Sequence, residues 1–230
     1  LFAIEIIISL ASFGLLVEQT SLQNIFDEFL SKKSIFINKD ALTINYTPDN
    51  IPHRTAQINL LAKVLAPCLR LEKPSNIFIY GKTGTGKTCV VQHVCRQLSA
   101  TALAKQTPIK TLYVNCKMRK VADTEYRLIA QLCAEVGKKV PTTGLPTNEI
   151  YKAFFETIDN KKQVIIIILD EVDALVKKCG DGVLYNLTRI NQELNNAKVG
   201  FIGISNDVTF RENLDARVKS SLGDEELVFP

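Results

Sequence analysis

The sequence predicts an α/β fold, a parallel β-sheet flanked by helices, with a phosphate-binding loop (P-loop) after an early strand. Three observations predict it. Short apolar runs alternate with helix-period segments and short loops, the pattern of a parallel sheet wound by right-handed crossovers. One run, Val164–Leu169 (VIIIIL), is apolar at every position, as expected of a strand buried on both faces. The segment Gly81-Lys82-Thr83-Gly84-Thr85-Gly86-Lys87-Thr88 fits Gly-x4-Gly-Lys-Thr and lies between a strand and a helix.

The elements follow in order. Lys33–Pro48 has no clear period and closes on the turn-like Tyr46-Thr47-Pro48-Asp49-Asn50. Thr55–Leu71 carries Ile58, Leu61, Val64, Leu65 and Leu69 on one helical face, with Pro67 expected to kink it and Pro74 to end it. Asn76–Tyr80 reads as a strand, and Lys87–Leu103 as a helix with Val90, Val91, Val94 and Leu98 inward. Thr111–Asn115 (TLYVN) is a second strand, followed by a helix from about Thr124 to Glu135. The loop Gly137–Pro146 leads to Thr147, read as the N-cap of a helix running to Ile158. After the VIIIIL strand come a helix over Val183–Leu194, a buried strand Val199–Ser205 and a short last strand at Glu226–Val228. There is no internal repeat or low-complexity tract.

Composition narrows the class. Hydrophobic residues make up 46% of the 230, enough for a sizeable core, and a net charge of +4 permits contact with nucleic acid without arguing for it. The six cysteines (Cys68, Cys89, Cys95, Cys116, Cys133, Cys179) form no C-x-x-C pair and no zinc spacing with His53 or His93. They read as reduced packing residues of a cytosolic protein. The opening LFAIEIIISLASFGLLV falls short of the about 20 apolar residues a span needs, is interrupted by Glu5 and has no basic segment before it. It reads as a buried amphipathic helix or as sequence outside the native start. A first residue other than Met, and an end at Pro230 straight after an extended segment, read as a fragment.

The chemistry concentrates in three places. In the P-loop, glycines let backbone N–H groups turn toward phosphate oxygens, and the following helix N-terminus and Lys87 add positive charge. Thr88 supplies a hydroxyl suited to magnesium. A nucleoside triphosphate is the implied ligand. Asp170 and Glu171 follow the VIIIIL strand, at the carboxyl edge where ligands of open α/β sheets sit. Asp170 is placed to hold magnesium opposite Thr88, and Glu171 to polarise a water for attack on the γ-phosphate. The competing reading makes Glu171 and Asp173 helix-start carboxylates favoured by the dipole. Third, VGFIGIS ends in Ser205-Asn206-Asp207, so Asn206 is a candidate to orient the attacking water, though an Asn/Asp turn after a strand supplies the same residues. Arg217 is a candidate arginine finger toward a neighbouring subunit, against the plainer role of an exposed, ion-paired arginine.

IPHR (Ile51–Arg54), IYGKTGTGKT (Ile79–Thr88), LYVNC (Leu112–Cys116), IILDEVDAL (Ile167–Leu175), GISND (Gly203–Asp207) and LDARVKSSLG (Leu214–Gly223) occur in this order. Together they resemble the AAA+ core of archaeal origin-recognition and helicase-loading replication initiators, over roughly Phe36 to Pro230. The resemblance implies an AAA+ type P-loop NTPase that binds ATP or ADP with Mg2+ and acts at double-stranded origin DNA to load the replicative helicase. It implies a cytoplasmic, nucleoid-associated protein with no membrane, pairing with itself or a paralogous initiator through Arg217. On it, Ile51, Pro52 and Arg54 lie on the adenine side. Gly81, Lys82, Thr83, Gly84, Thr85, Gly86, Lys87 and Thr88 hold phosphates, with Thr88 and Asp170 at the metal. Glu171 and Asp170 form the Walker B pair, Asn206 is the sensor and Arg217 the finger. The family's DNA-contacting insertion maps loosely to Lys138–Tyr151, where the adjacent Lys138 and Lys139 also fit a plain solvated loop.

The family core continues into a lid and a winged-helix domain, which this sequence does not contain, and residues Leu1 to about Gln23 match nothing expected of the family. The division implied is 1–35 as an N-terminal segment, helical or non-native, and 36–230 as the nucleotide-binding core, with slow ATP hydrolysis and weakened nucleotide affinity. Two other readings share the same residues. One is another AAA+ ATPase of DNA metabolism, of clamp-loader or transposition type. The other is a nucleotide-gated DNA-binding module with negligible turnover.

Overall fold

The computed structural model describes residues 22–36, 38, 39, 41, 43, 46, 48, 50–118, 122–141, 144–222 and 225–230. The stretch read against a membrane anchor, Leu1–Leu16, lies outside them. No helix among the described residues is long and apolar enough to cross a membrane. The chain divides into two compact units, Leu1–Tyr46 and Thr47–Pro230. In the first, residues 22–31 are helical and Lys32 pairs with Glu28 at 2.8 Å.

The second unit is built on one sheet. Its strands are β1 (Ile77–Gly81), β2 (Ile109–Asn115), β3 (Val164–Asp170), β4 (Lys198–Ser205) and β5 (Glu225–Phe229). They lie in the order β2-β3-β4-β1-β5, and every pairing is parallel. The interior strands are the apolar runs: β3 is buried at all seven positions, and β4 at all but its first. The edge strand β2 instead alternates, with Leu112 and Val114 buried and Tyr113 more open. A strand with one neighbour and a covered face needs apolar residues only at every second position.

Among the described residues of the second unit, seven helices accompany the sheet: α1 (Thr55–Leu65), α2 (Lys87–Ala104), α3 (Glu125–Glu135), α4 (Thr147–Ile158), α5 (Val172–Cys179), α6 (Gly182–Arg189) and α7 (Ala216–Leu222). Side-chain alternation along β3 divides the core in two. Val164, Ile166 and Ile168 join residues of α1 and α2 on one face. Ile165, Ile167 and Leu169 join residues of α3 to α7 on the other. Each fully buried aliphatic side chain stabilises by about 1.5–3 kcal/mol. The candidate site residues of α2 and β3 therefore share one face of the sheet.

Local chemistry explains where the structure departs from the sequence reading. The helix read as continuous to Leu71 ends at Leu65. Pro67 opens a 3-10 turn, Ala66–Arg70, instead of kinking an α-helix, and Leu71 closes it in the left-handed region at φ 59°. Thr147 is the first residue of α4 and not its N-cap, which is Pro146. Thr124 does cap α3, accepting the Arg127 N–H at 3.3 Å. The helix read to Leu194 ends at Arg189 and tightens into a 3-10 turn at Ile190–Gln192. The short helix α5, directly after Glu171, was implied only by the reading of Glu171 and Asp173 as helix-start carboxylates. It has only eight residues, and Gly180 at φ 77° stops it.

One side chain stitches α4 to β4. The Asp159 carboxylate accepts the N–H groups of Asn195, Asn196 and Ala197 at 2.7–3.2 Å. These bonds, Ala197's foremost, hold its pKa below the usual carboxylate range. A lowered folded-state pKa means that the contribution is complete above about pH 4 and fades as the pH falls below it. Asp159→Ala is expected to destabilise the chain by about 1 kcal/mol at neutral pH, as for a solvent-screened carboxylate–amide cluster. Thermal unfolding should show the gap between variant and parent narrowing as the pH falls below about 4. A gap independent of pH would mean that the charge is not what stabilises.

Candidate functional site

The P-loop runs from the end of β1 into α2. Gly86 is the residue before the helix and stands at φ 89°, a conformation that side chains with a Cβ rarely adopt. Gly81 is needed for a different reason. A Cβ there would lie 2.2 Å from the backbone oxygen of Phe229, which β5 places directly opposite. Lys87, 4% exposed, folds back over the loop, and its ammonium donates to the carbonyls of Gly81 and Lys82, each at 2.8 Å. Two of its three protons are thereby used, which leaves one for a ligand oxygen. Burial pushes the Lys87 pKa down, and Asp170, Asp173 and Glu171 pull it back up. Thr85 closes the loop on itself, its hydroxyl donating to Lys82 at 2.9 Å, while Thr83 and Gly84 are exposed.

Thr88 meets Asp170 across 82 residues of sequence, its hydroxyl donating to Oδ2 at 2.8 Å. Asp170 is 5% exposed. Its Oδ2 also accepts the Tyr113 phenol at 2.8 Å, and its Oδ1 accepts the Glu171 N–H at 2.9 Å. Burial first, then the Asp170 charge, raise the Tyr113 pKa, so the phenol stays a donor.

Glu171 stands at φ 53° in the left-handed region, an unusual conformation for a residue with a side chain, and leads into α5. Its carboxylate pairs with Lys117 at 3.2 Å; the two side chains are 23% and 73% exposed. The helix-start role offered as a competing reading falls on Asp173, in the first turn of α5. Asp173 accepts the Ser205 hydroxyl at 3.1 Å and the Asn206 N–H at 3.4 Å, tying the end of β4 to α5. Asn206 thus lies beside Asp173, two residues beyond the β4 position, Ile204, that pairs with Asp170.

The other sequence candidates are distributed around this centre. Ile51 packs on the α1–α2 side of the core, and Pro52 is exposed. The Arg54 guanidinium stacks 5.2 Å from the ring centroid of Phe229, the strand residue that faces Gly81. Arg217 has its partners elsewhere. It pairs with Asp215 at 3.1 Å and lies 5.8 Å from the Tyr185 ring, with its side chain 75% exposed. Lys138 and Lys139 are both exposed.

Tyr113 and Lys117 were missed by sequence reasoning, and Asp173 was read only as a helix-start carboxylate. Alternation along TLYVN carried a signal for the first, since Tyr113 falls on the face opposite Leu112 and Val114. Nothing in the sequence singled out Lys117. The residues present suit a polyphosphate with a divalent cation. They offer a buried ammonium, a hydroxyl against a buried carboxylate, and a glycine turn opening a helix.

Residues 70–207 match the family model described as the AAA domain. The chain belongs to that family. It is also similar to the ORC1-type DNA replication protein 1 of Methanosarcina mazei, 52% identical over 215 residues, covering 94% of this chain and 51% of that one. The ORC1-type DNA replication protein of Thermococcus kodakarensis is 50% identical over 213 residues, or 91% and 51% of the two chains. Among solved structures, that of the Aeropyrum pernix ORC1 protein in complex with DNA superposes with a TM-score of 0.80 at 46% identity, covering 86% of this chain and 50% of the other. The chain spans about half the length of the curated relatives it matches. The parallel sheet flanked by helices is that of an AAA+ P-loop NTPase, and the likeness to archaeal replication initiators holds across this AAA domain.

Proposed function

We propose that this AAA domain binds ATP or ADP with Mg2+ as the nucleotide switch of a DNA replication initiator, with residues 36–230 as its nucleotide-binding core. Nucleotide state would govern binding to double-stranded origin DNA and loading of the replicative helicase, in the cytoplasm at the nucleoid. The observation that carries the reading is the 2.8 Å contact between Thr88 and Asp170, which joins the P-loop to the carboxyl end of β3. The relatives named for DNA replication, at about half sequence identity, supply the biological setting.

In this reading Gly81 to Thr88 hold the phosphates, with the third Lys87 proton on a phosphate oxygen. Thr88 and Asp170 hold Mg2+, which when bound supplies charge neutralisation at the phosphates. Ile51, Pro52 and Arg54 border the adenine. Glu171 takes the proton of the attacking water, with Asn206 orienting that water. Arg217, exposed on α7, reaches the nucleotide of a second copy or a paralogous initiator.

A specific observation supports a second reading, in which turnover is negligible and occupancy alone is the signal. The Glu171 carboxylate faces Lys117 at 3.2 Å, so it must leave that ion pair to take a proton from water. Glu171→Gln distinguishes the two. A hydrolytic switch should lose about 100-fold or more in single-turnover hydrolysis while keeping its nucleotide affinity, as for loss of a general base. If hydrolysis is equally slow in parent and variant, the occupancy reading stands.

A further inference from the structure

The geometry points to Tyr113 as the positioning residue of the metal site: its phenol holds Asp170 Oδ2 in place so that the oxygen stays aimed at the cation when Thr88 turns its own oxygen to the metal. This rests on the nucleotide and Mg2+ site proposed above.

The sheet puts the three groups together. Along β3, Val164, Ile166 and Ile168 face α1 and α2, and the alternation carries Asp170 to that side. Along β2, Leu112 and Val114 face the opposite core, so Tyr113 is turned toward the α2 side. Parallel pairing aligns Tyr113 with Ile168 and Asn115 with Asp170, so Tyr113 reaches diagonally by one side-chain step. Thr88, in the first turn of α2, arrives from the layer above.

Two hydroxyls then donate to the same carboxylate oxygen, each at 2.8 Å. They are not equivalent. Thr88 is itself a candidate metal ligand, and a hydroxyl whose lone pair points at a cation has fewer orientations left for donating to Asp170. Tyr113 has no such second duty. Without the phenol, Thr88 is the one partner of Oδ2 among the described residues, and the Glu171 N–H fixes the other oxygen. Groups that hydrogen-bond a metal-ligating carboxylate typically change metal affinity by about 10–100-fold when removed.

Tyr113→Phe deletes the hydroxyl and keeps the ring. The test measures binding of a fluorescent, non-hydrolysable ATP analogue to the full-length protein, in EDTA and across a Mg2+ titration, with Thr88→Ala alongside. Expected for Tyr113→Phe is an unchanged Kd in EDTA and a half-saturating Mg2+ concentration raised about 10–100-fold. Thr88→Ala should shift in the same sense. Equal loss with and without Mg2+ would make Tyr113 a general structural residue and overturn the inference. An unchanged or tighter Mg2+ response would also overturn it. If the parent protein binds the analogue with no Mg2+ dependence, or does not bind it, the site reading itself fails and takes the inference with it.

Discussion

Lys87→Ala will weaken nucleotide binding by about 100-fold or more while leaving the domain folded. The ammonium is buried against two loop carbonyls at 2.8 Å, so it is held in place before any ligand arrives. A preorganised charged donor contributes about 1.5–3 kcal/mol per hydrogen bond to a phosphate oxygen, and 1.4 kcal/mol is a factor of ten. With its charge also lost, affinity should fall by about 100-fold or more. Stability moves much less, because two effects oppose. The variant leaves the Gly81 and Lys82 carbonyls without their donor, but it also removes a charge whose burial was costly, as the lowered pKa of Lys87 indicates. Titration with fluorescent ATP and ADP, beside thermal unfolding without nucleotide, separates the two. Retained affinity would remove the P-loop from the binding site. A large drop in melting temperature would make Lys87 chiefly a structural residue.

Gly81→Ala should destabilise the fold through backbone contact. The added methyl would lie 2.2 Å from the Phe229 oxygen and 3.1 Å from its carbonyl carbon, atoms of a paired strand that cannot rotate away. The sheet must part at its β1–β5 edge or the loop must move. Overpacking of this kind costs about 3 kcal/mol. For a chain of this length that lowers the melting temperature by about 6–12 °C. Nucleotide affinity should fall with it, because the Gly81 carbonyl is one of the two groups that seat Lys87. The Arg54–Phe229 stack couples the same strand to the IPHR segment. A variant that keeps its melting temperature would show that β5 can separate from β1 at little cost.

The legibility of the fold followed how local its causes are. VIIIIL is buried at every position and was readable as an interior strand because burial on two faces leaves no polar position. The P-loop was readable because its glycines, lysine and threonine act within eight consecutive residues. Thr147 was misassigned by one position because a threonine before an apolar helical face also fits the first turn. The α5 helix was signalled only by its helix-start carboxylates, because eight residues give too little periodicity to show an apolar face.

By itself the sequence determined the class of fold, the phosphate loop and the pair Asp170-Glu171, because each depends on residues adjacent in the chain or one strand apart. Only the tertiary structure decided what surrounds those carboxylates. Tyr113 reaches Asp170 from a neighbouring strand 57 positions away, and Lys117 reaches Glu171 from the loop after that strand. Asp173 was readable only as a helix-start charge, yet it ties β4 to α5. Strand order and the face of each side chain create these contacts, and both depend on parallel pairing between segments far apart in sequence.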